Sequence, residues 1–294
     1  MPLRRERVLT ADGDFVDLDW LDAPARADAP VLFVLHGLEG SSRSHYASGL
    51  LKDARTRGWR AVVLNFRSCS GELNRLPRFY HSGDTADFDA ILRGLLTREP
   101  RVRLGVVGIS IGGNVLLKWL GEQGGQAPAQ VVAAAAISVP YDLTACARVL
   151  DRGFAKLVYT ANFMRTMRRK VVEKARGHPR FVDVAAARRA RTFAAYDAAV
   201  TAPLFGFADA RDYWRRASSR PYLAAIARPT LLLSALDDPF IPADSLPKPP
   251  ELSAHVRLVV TPRGGHVGFV DGRWPWRSGS WAERRALDFL ARLL

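Results

Sequence analysis

The chain has 294 residues, of which 48% are apolar, so it can bury a sizeable core as one large domain or as a core with an insertion. Its 43 basic and 29 acidic residues give a net charge of +14, which favours anionic partners without selecting one class of them. No apolar run reaches the roughly 20 residues that span a bilayer, and the basic N-terminus has no apolar segment behind it, so neither a membrane span nor a signal peptide is expected.

Strands that alternate with helices along most of the chain predict a mostly parallel sheet with helices on both faces. Residues 7–21 come first and predict an antiparallel hairpin at the sheet edge, with its turn at residues 12–14. Apolar runs then predict buried strands at residues 29–37, 59–66, 101–108, 131–138, 229–236 and 255–262. Helical spacing predicts helices at residues 44–58, 84–99, 111–122 and 281–294.

One long stretch, residues 141–228, interrupts this alternation. It contains several helical patterns and no strong strand, and it lies between two predicted sheet strands. We therefore predict an α/β core formed by residues 1–140 and 229–294, with residues 141–228 inserted as a helical cap or lid. Its large apolar side chains are expected either to pack its own helices or to line an apolar pocket. These side chains are Phe154, Leu157, Tyr159, Phe163, Met164, Phe193, Leu204, Phe205, Phe207 and Trp214.

A serine in a glycine frame, Gly108-Ile109-Ser110-Ile111-Gly112, joins a predicted strand to a predicted helix. This is the context that a G-x-S-x-G nucleophile elbow requires, because the sharp turn needs small neighbours and pushes the serine clear of the sheet. We predict Ser110 as a nucleophile. The amide of Ile111, at the helix N-terminus, is predicted as one donor of an oxyanion hole. A purely structural glycine turn is the alternative interpretation.

Acid and base candidates follow the serine in the chain order that this arrangement needs. Asp237 and Asp238 come directly after one predicted strand, and His266 follows the next. His266 would act as general base and then as general acid, while an aspartate would orient its ring. We choose Asp238, because an aliphatic residue and Pro242 follow it at the spacing typical of the loop that carries the triad acid in α/β hydrolases. Asp237 is expected to cap a turn or to bond loop amides.

Two loops contain further polar side chains. Residues 36–42 follow the first parallel strand, where such folds supply the second oxyanion amide, and we assign that role to the Leu38 N–H. In the same loop, His36 is expected to hold the backbone and Glu39 to brace it. The second loop has groups that could ligate a metal, but their spacing fits no zinc site, so neither a metal nor a cofactor is predicted. Asp84 and Thr85 are expected to cap the following helix instead. The candidate ligands in this loop are Cys69, His81, Asp84 and Asp87.

Taken jointly, six segments resemble the YheT family of α/β hydrolases, bacterial relatives of mammalian abhydrolase-domain lipid hydrolases. The resemblance covers nearly the whole chain and implies an α/β-hydrolase fold with Ser110, Asp238 and His266 as the charge relay. The chain departs from the family at three positions, which leaves the shape of the substrate pocket open: Ser68, Leu73 and Trp214 stand where glycine, proline and tyrosine are usual. The segments are HGLEGSSRSHY (36–46), NFRSCSGELNR (65–75), YHSGDTAD (80–87), GISIGGN (108–114), SALDDPF (234–240) and GGHVGF (264–269).

We therefore expect a serine hydrolase that cleaves carboxylic esters, including lipid or medium- and long-chain acyl esters, through an acyl-enzyme. An acyltransferase would use the same triad, and a non-catalytic protein of this fold that binds an anionic or lipidic partner is the alternative from another class. The expected partner is a small-molecule or lipid ester, with neither a specific nucleic acid nor an obligate protein partner. The basic segments at residues 164–170 and 187–191 also allow peripheral contact with an anionic membrane. Cys69 and Cys146, with no secretory signal, indicate reduced thiols and a cytoplasmic location.

Overall fold

The computed structural model describes residues 2–21, 28–271 and 279–294. Its strands are β1 (Arg4–Leu9), β2 (Phe15–Leu21), β3 (Val31–Leu35), β4 (Arg60–Asn65), β5 (Leu104–Ile109), β6 (Val131–Ile137), β7 (Thr230–Ala235), β8 (Val256–Thr261), β9 (Val270–Asp271) and β10 (Gly279–Ser280). The first eight form one sheet in the order β1-β2-β4-β3-β5-β6-β7-β8. In this sheet β2 pairs antiparallel with β1 and β4, and the remaining pairs are parallel; β9 and β10 form a separate antiparallel pair. The edge hairpin and the mostly parallel sheet are therefore confirmed.

Helices cover both faces of this sheet, as the alternation predicted. They are α1 (His45–Thr56), α2 (Ala86–Arg98), α3 (Ile111–Gln123), α4 (Leu143–Leu150), α5 (Gly153–Ala155), α6 (Ala161–Lys174), α7 (Val184–Arg189), α8 (Phe193–Tyr196), α9 (Ala202–Phe205), α10 (Ala210–Ala217) and α11 (Trp281–Ala291). In the part of the chain that the structure describes, none of them combines the length and the apolar character needed to cross a membrane.

The central strands are buried on both faces. Successive side chains of a strand point to opposite sides, so each strand contributes to the core on either face of the sheet. Phe33 of β3 packs against Phe88 of α2, which in turn contacts Trp119 of α3, with ring centroids 5.4 and 5.0 Å apart. The neighbouring Leu32 belongs to the core on the other face, together with Leu287 of α11. The sheet thus separates two apolar cores and holds its strand ends rigidly.

The hairpin turn at residues 12–14 anchors a buried arginine, a role that its turn sequence does not indicate. The Arg67 side chain is almost fully buried, and its guanidinium donates to Asp12, Asp14 and Asp87. A buried guanidinium needs such paired carboxylates, since an unpaired charge would be costly to desolvate. The network ties the edge hairpin to the loop after β4 and to the first turn of α2.

The predicted side-chain cap of α2 is wrong. The helix begins at Ala86, but neither neighbouring side chain bonds to its free amides. Thr85 donates its hydroxyl hydrogen to Glu122 at 2.8 Å, and Asp84 accepts from Arg78 at 2.9 Å. The Asp84 carboxylate and the Thr85 hydroxyl, which local sequence rules assign to capping, instead form an ion pair and a tertiary hydrogen bond.

Residues 141–228 contain the helices α4 to α10 and no strand. Two small apolar clusters are built mainly from this segment, one around Met164 and Tyr196, which also includes Phe79, and another around Tyr213 and Trp214. Two of its helical stretches are π-helical turns, Lys156–Thr160 and Asp197–Thr201. Such turns are rare and concentrate at functional sites. The segment therefore carries its own packing and faces the loops at the carboxyl ends of the parallel strands.

Candidate active site

Ser110 lies at the turn between β5 and α3 and has a strained backbone. Its φ of 55° is in the left-handed region, which a side chain other than glycine rarely adopts. The flanking glycines have no room for a side chain: a Cβ on Gly108 would stand 2.6 Å from the carbonyl oxygen of Gly112, and one on Gly112 would meet the carbonyl oxygens of Leu35 and His36. The glycine frame therefore permits a turn tight enough to hold the hydroxyl out beyond the sheet.

The three residues predicted as a charge relay lie in hydrogen-bond contact. His266 Nε2 is 2.9 Å from Ser110 Oγ, and His266 Nδ1 is 2.9 Å from Asp238 Oδ2. The Asp238 side chain is almost fully buried and also accepts from the Phe240 amide at 2.8 Å. Asp237, the other candidate, accepts from the Gly265 amide at 2.8 Å. The two aspartates thus have different partners: Asp238 contacts the imidazole and Asp237 contacts the loop backbone.

The loop after β3 is held by hydrogen bonds on both sides of Leu38. The Gly37 amide donates to the Tyr46 hydroxyl at 2.9 Å, and the Glu39 amide donates to the Tyr80 hydroxyl at 2.8 Å. Leu38 and Ile111 both border the cavity that contains Ser110. The two residues whose amides are predicted for an oxyanion hole therefore line the same cavity as Ser110.

His36 is buried in this loop and has a structural role. Its Nε2 accepts from the Phe66 amide at 3.0 Å, so Nδ1 carries the hydrogen and donates to the Gly37 carbonyl at 2.7 Å. Burial lowers the pKa of His36 to about 4, which keeps the ring neutral at pH 7. The histidine fixes the loop backbone and takes no part in the serine–histidine–aspartate contact.

A partly buried ion pair joins this loop to the helical segment. Lys170 of α6 donates to Glu39 Oε1 at 2.7 Å, and the Tyr80 hydroxyl lies 3.2 Å from the same oxygen. Lys170 also approaches Cys69 Sγ at 3.4 Å, and burial raises the pKa of that thiol to about 11. Sequence reasoning predicted Glu39 as a brace but missed Lys170, whose partner is 131 positions away.

One cavity lies between the strand ends and the helical segment. It encloses about 1040 Å³ of empty space including its open mouth. From the sheet side it is bordered by Ser110 and His266, and from the helical side mostly by apolar side chains. Among the side chains predicted for an apolar pocket, those that border this cavity are Phe163, Phe193, Leu204, Phe205 and Trp214.

Other members of that predicted set lie elsewhere. Met164 is buried in the segment's own core. Phe154 and Leu157 are among the most exposed large apolar side chains of the described residues, because they project from the outer face of the α5–α6 stretch. These two are therefore not pocket residues, and helical periodicity alone could not have shown which face would be covered.

Asp197 is a buried carboxyl on the cavity wall that sequence reasoning missed. Its side chain accepts from Thr201 Oγ1 at 2.6 Å and from Trp214 Nε1 at 2.8 Å. Burial raises the pKa of Asp197 to about 7 despite these hydrogen bonds. The indole donor is the tryptophan that replaces the family's usual tyrosine, so this departure from the family supplies a hydrogen bond inside the helical segment.

The polar groups of the loop at residues 65–87 are dispersed. Asp84 and Asp87 belong to ion pairs with arginines, and no group of three or more potential ligands is suited to a metal within the described ranges. His81 contacts the rings of Phe205, Phe207 and Tyr213, and burial lowers its pKa to about 3. Ser68, at the family's glycine position, has a φ of 64° and bonds to Asn74. This hydrogen bonding holds a left-handed conformation that glycine would adopt freely.

Comparisons with known proteins match these features. The α/β-hydrolase family model matches residues 30–273. The YheT protein of Escherichia coli strain K12 is 40% identical over 98% of this chain and 85% of its own, and human Phospholipase ABHD3 is 30% identical over 99% of this chain and 72% of its own. Among solved structures, the esterase Pf2001 of Pyrococcus furiosus superposes with a TM-score of 0.62 at 17% identity, over 99% of this chain and 93% of its own, which supports the fold.

Proposed function

This chain belongs to the α/β-hydrolase family and, within it, to the YheT family, and from that premise we propose that it is a serine esterase acting on medium- or long-chain acyl esters, including lipid esters. The observation that carries the proposal is the continuous contact from Asp238 through His266 to Ser110, with the serine at a strained strand-to-helix turn. A hydroxyl held in this way has a base to take its proton and an acid to stabilise the charged imidazole.

The reaction follows from these positions. Ser110 Oγ attacks the ester carbonyl while its proton passes to His266 Nε2, and the amides of Leu38 and Ile111 donate to the oxygen that becomes negative. The carbon–oxygen bond to the alcohol breaks as His266 returns the proton to the leaving oxygen. Water then gives a proton to His266 and attacks the acyl carbon, and the proton returns to Ser110 as the acid leaves.

The cavity wall supports the choice of substrate. Apolar and aromatic side chains from residues 141–228 line it, and a pocket of this composition suits an acyl chain better than a polar group. We propose these residues as the cap of the enzyme, over a core of residues 1–140 and 229–294. ABHD3 is named a phospholipase, which is consistent with a lipid ester as substrate. The free thiols of Cys69 and Cys146 favour the cytoplasm as its place of action.

A covalent probe tests the proposal. A fluorophosphonate should label the wild-type protein at Ser110 and should not label Ser110→Ala, and the same substitution should abolish hydrolysis of p-nitrophenyl esters. Ser82→Ala is the matched control, since Ser82 is another serine on the cavity wall, and it should be labelled at the wild-type rate. Labelling of Ser110→Ala would remove this serine from the mechanism.

A further inference from the structure

An apolar patch lies open to solvent on the outer face of the cap. The side chains of Phe154, Leu157 and Val158 are 71%, 76% and 44% exposed. They share one face of the helical stretch that begins at α5, because residues three and four apart lie side by side on a helix. We call Phe154, Leu157 and Val158 the apical patch. Three large apolar groups on one exposed face are unusual in a protein that only meets water.

A series of ring contacts leads from the apical patch to the proposed catalytic histidine. The Phe154 ring centroid is 6.3 Å from that of Tyr159, and Tyr159 is 4.7 Å from Phe240. Phe240 in turn lies 4.3 Å from the ring of His266. Since Phe240 and His266 both border the cavity, the rings of Tyr159 and Phe240 connect the patch to the cavity wall.

Arginines continue the same exposed face. Beyond the patch, exposed residues recur every three or four positions along α6 and include Arg165 and Arg169. Arg176 follows the end of α6, and Arg152 lies just before α5. The partner of Arg165 is the neutral Asn162. Within residues 141–228, all of which the structure describes, none of these four arginines takes part in a salt bridge. The face therefore combines an apolar end with an excess of positive charge, since these four arginines stand against one exposed acidic residue of α6, Glu173.

We propose that this face docks the enzyme on an anionic lipid surface, with the apical patch inserted among the acyl chains and the arginines against the headgroups. Helices that bind membrane surfaces combine an apolar face with basic residues in this way. Docking in this orientation would bring the cavity wall at Phe240 close to the membrane, so that a lipid ester would have a short path to Ser110. This deepens the proposed function and rests on it for the identity of the substrate.

Vesicle binding tests the patch with the full chain. Ser110→Ala, which leaves the vesicle lipids intact, should sediment with vesicles of phosphatidylcholine containing phosphatidylglycerol. The added substitutions Phe154→Ser and Leu157→Ser should weaken this binding roughly tenfold or more, since two large side chains no longer leave water. Leu9→Ser is the matched control, and it should leave binding unchanged. Leu9 is 66% exposed on β1, which is the edge strand farthest from β7 and β8, the strands that precede Phe240 and His266. Equal binding by the patch variant, or an equal loss with Leu9→Ser, would overturn the proposal.

Two further measurements separate the possible failures. In the active chain, Phe154→Ser with Leu157→Ser should keep wild-type hydrolysis of a short soluble ester, which shows that it is folded and that any lost activity on vesicles comes from docking. Arg165→Ser with Arg169→Ser should abolish the preference for vesicles that contain phosphatidylglycerol. If the patch instead joins two copies of the chain, the patch variant would change the molecular mass in solution and the parent would not bind vesicles, which contradicts the lipid surface. A chain that binds vesicles but fails the fluorophosphonate test would contradict the proposed function and leave the docking surface supported.

Discussion

The two walls of the cavity are built in different ways. On the sheet wall, Ser110, Asp238 and His266 stand on short loops at strand ends, and hydrogen bonds of 2.8 to 2.9 Å fix each polar group. On the cap wall, helices with π-helical turns supply mostly apolar side chains. In the proposed mechanism the two walls would have different tasks, because reacting atoms must be held in one geometry whereas an acyl chain would need only apolar surface of the right depth.

The walls are joined by the ion pair between Lys170 of the cap and Glu39 of the loop that carries Leu38. Because of this contact, the two walls are not independent of each other. A change in the cap at Lys170 would leave a carboxylate uncompensated next to the place where an oxyanion forms. Substitutions on each wall and at this junction are therefore expected to have effects of different size and kind.

The largest effect is expected on the sheet wall, at the acid. Asp238→Asn should lower kcat on the order of 10⁴-fold, because the amide no longer stabilises the charged imidazole or holds its tautomer. Asp237→Asn is the matched control, since Asp237 accepts from the Gly265 amide whereas the imidazole contacts Asp238, and it should cost far less. Steady-state kinetics on a soluble p-nitrophenyl ester measure both. A severe Asp237 variant beside a mild Asp238 variant would reverse the assignment.

A smaller loss is expected at the junction. Lys170→Met should lower kcat about 10²-fold with KM little changed, comparable to the loss of one oxyanion donor, because the uncompensated Glu39 charge opposes the negative transition state and loosens the Leu38 loop. Lys170→Arg should retain most of the activity by preserving the charge.

The double variant Lys170→Met with Glu39→Gln separates the electrostatic effect from a packing effect. It should recover part of the kcat lost in Lys170→Met, because the buried carboxylate charge is gone. A purely structural role would give a double variant at least as impaired as the single one. If the role of Lys170 were purely structural, Lys170→Met would also lower the thermal stability and would not lower kcat selectively with KM little changed.

The sheet wall could be predicted from sequence because its signals are local. The glycine frame around Ser110 and the spacing from Asp238 to Pro242 each lie within a few residues, and a parallel sheet brings its strand ends together. The cap wall could be predicted only as helical. Which face of each helix turns inward depends on tertiary packing, so Phe154 and Leu157 were expected among pocket candidates and lie outside. Asp197 and Lys170 were missed because their partners lie 17 and 131 positions away.

A graded effect is expected on the cap wall. Each buried methylene contributes about 0.8 kcal/mol, so kcat/KM should rise about fourfold per added carbon from acetyl esters upward until the cavity is full. Met167→Trp should move the optimum to a shorter chain, because Met167 borders the cavity and tryptophan would fill part of it. Val172→Trp on the exposed face of the same helix is the control and should leave the optimum unchanged. A steady decline from acetyl esters would rule out a preference for long acyl chains.

The smallest effect is expected on the pH dependence of the free energy of unfolding, and it tests whether the buried Asp197 carboxyl of the cap wall is protonated in the folded protein. Burial raises the pKa of Asp197 to about 7, above its ordinary value of 3.8. Below the ordinary value the carboxyl is protonated whether the chain is folded or unfolded. Between that value and about 7 only the folded protein keeps the proton, so this residue's contribution to the free energy of unfolding is lost as the pH rises through the window.

His36 changes stability in the opposite direction, so the wild-type curve alone cannot isolate Asp197. Because burial lowers the pKa of His36 to about 4, that histidine destabilises the fold as the pH falls below its ordinary value near 6.5. The informative quantity is the difference in free energy of unfolding between the wild type and Asp197→Asn, measured by urea denaturation from about pH 4 to about pH 8. That difference should fall with rising pH, because the asparagine does not titrate. The absolute size of this difference also reflects the altered hydrogen bonds to Thr201 and Trp214, so the test is how the difference changes with pH. A difference that stays constant with pH would show that Asp197 is ionised across the range.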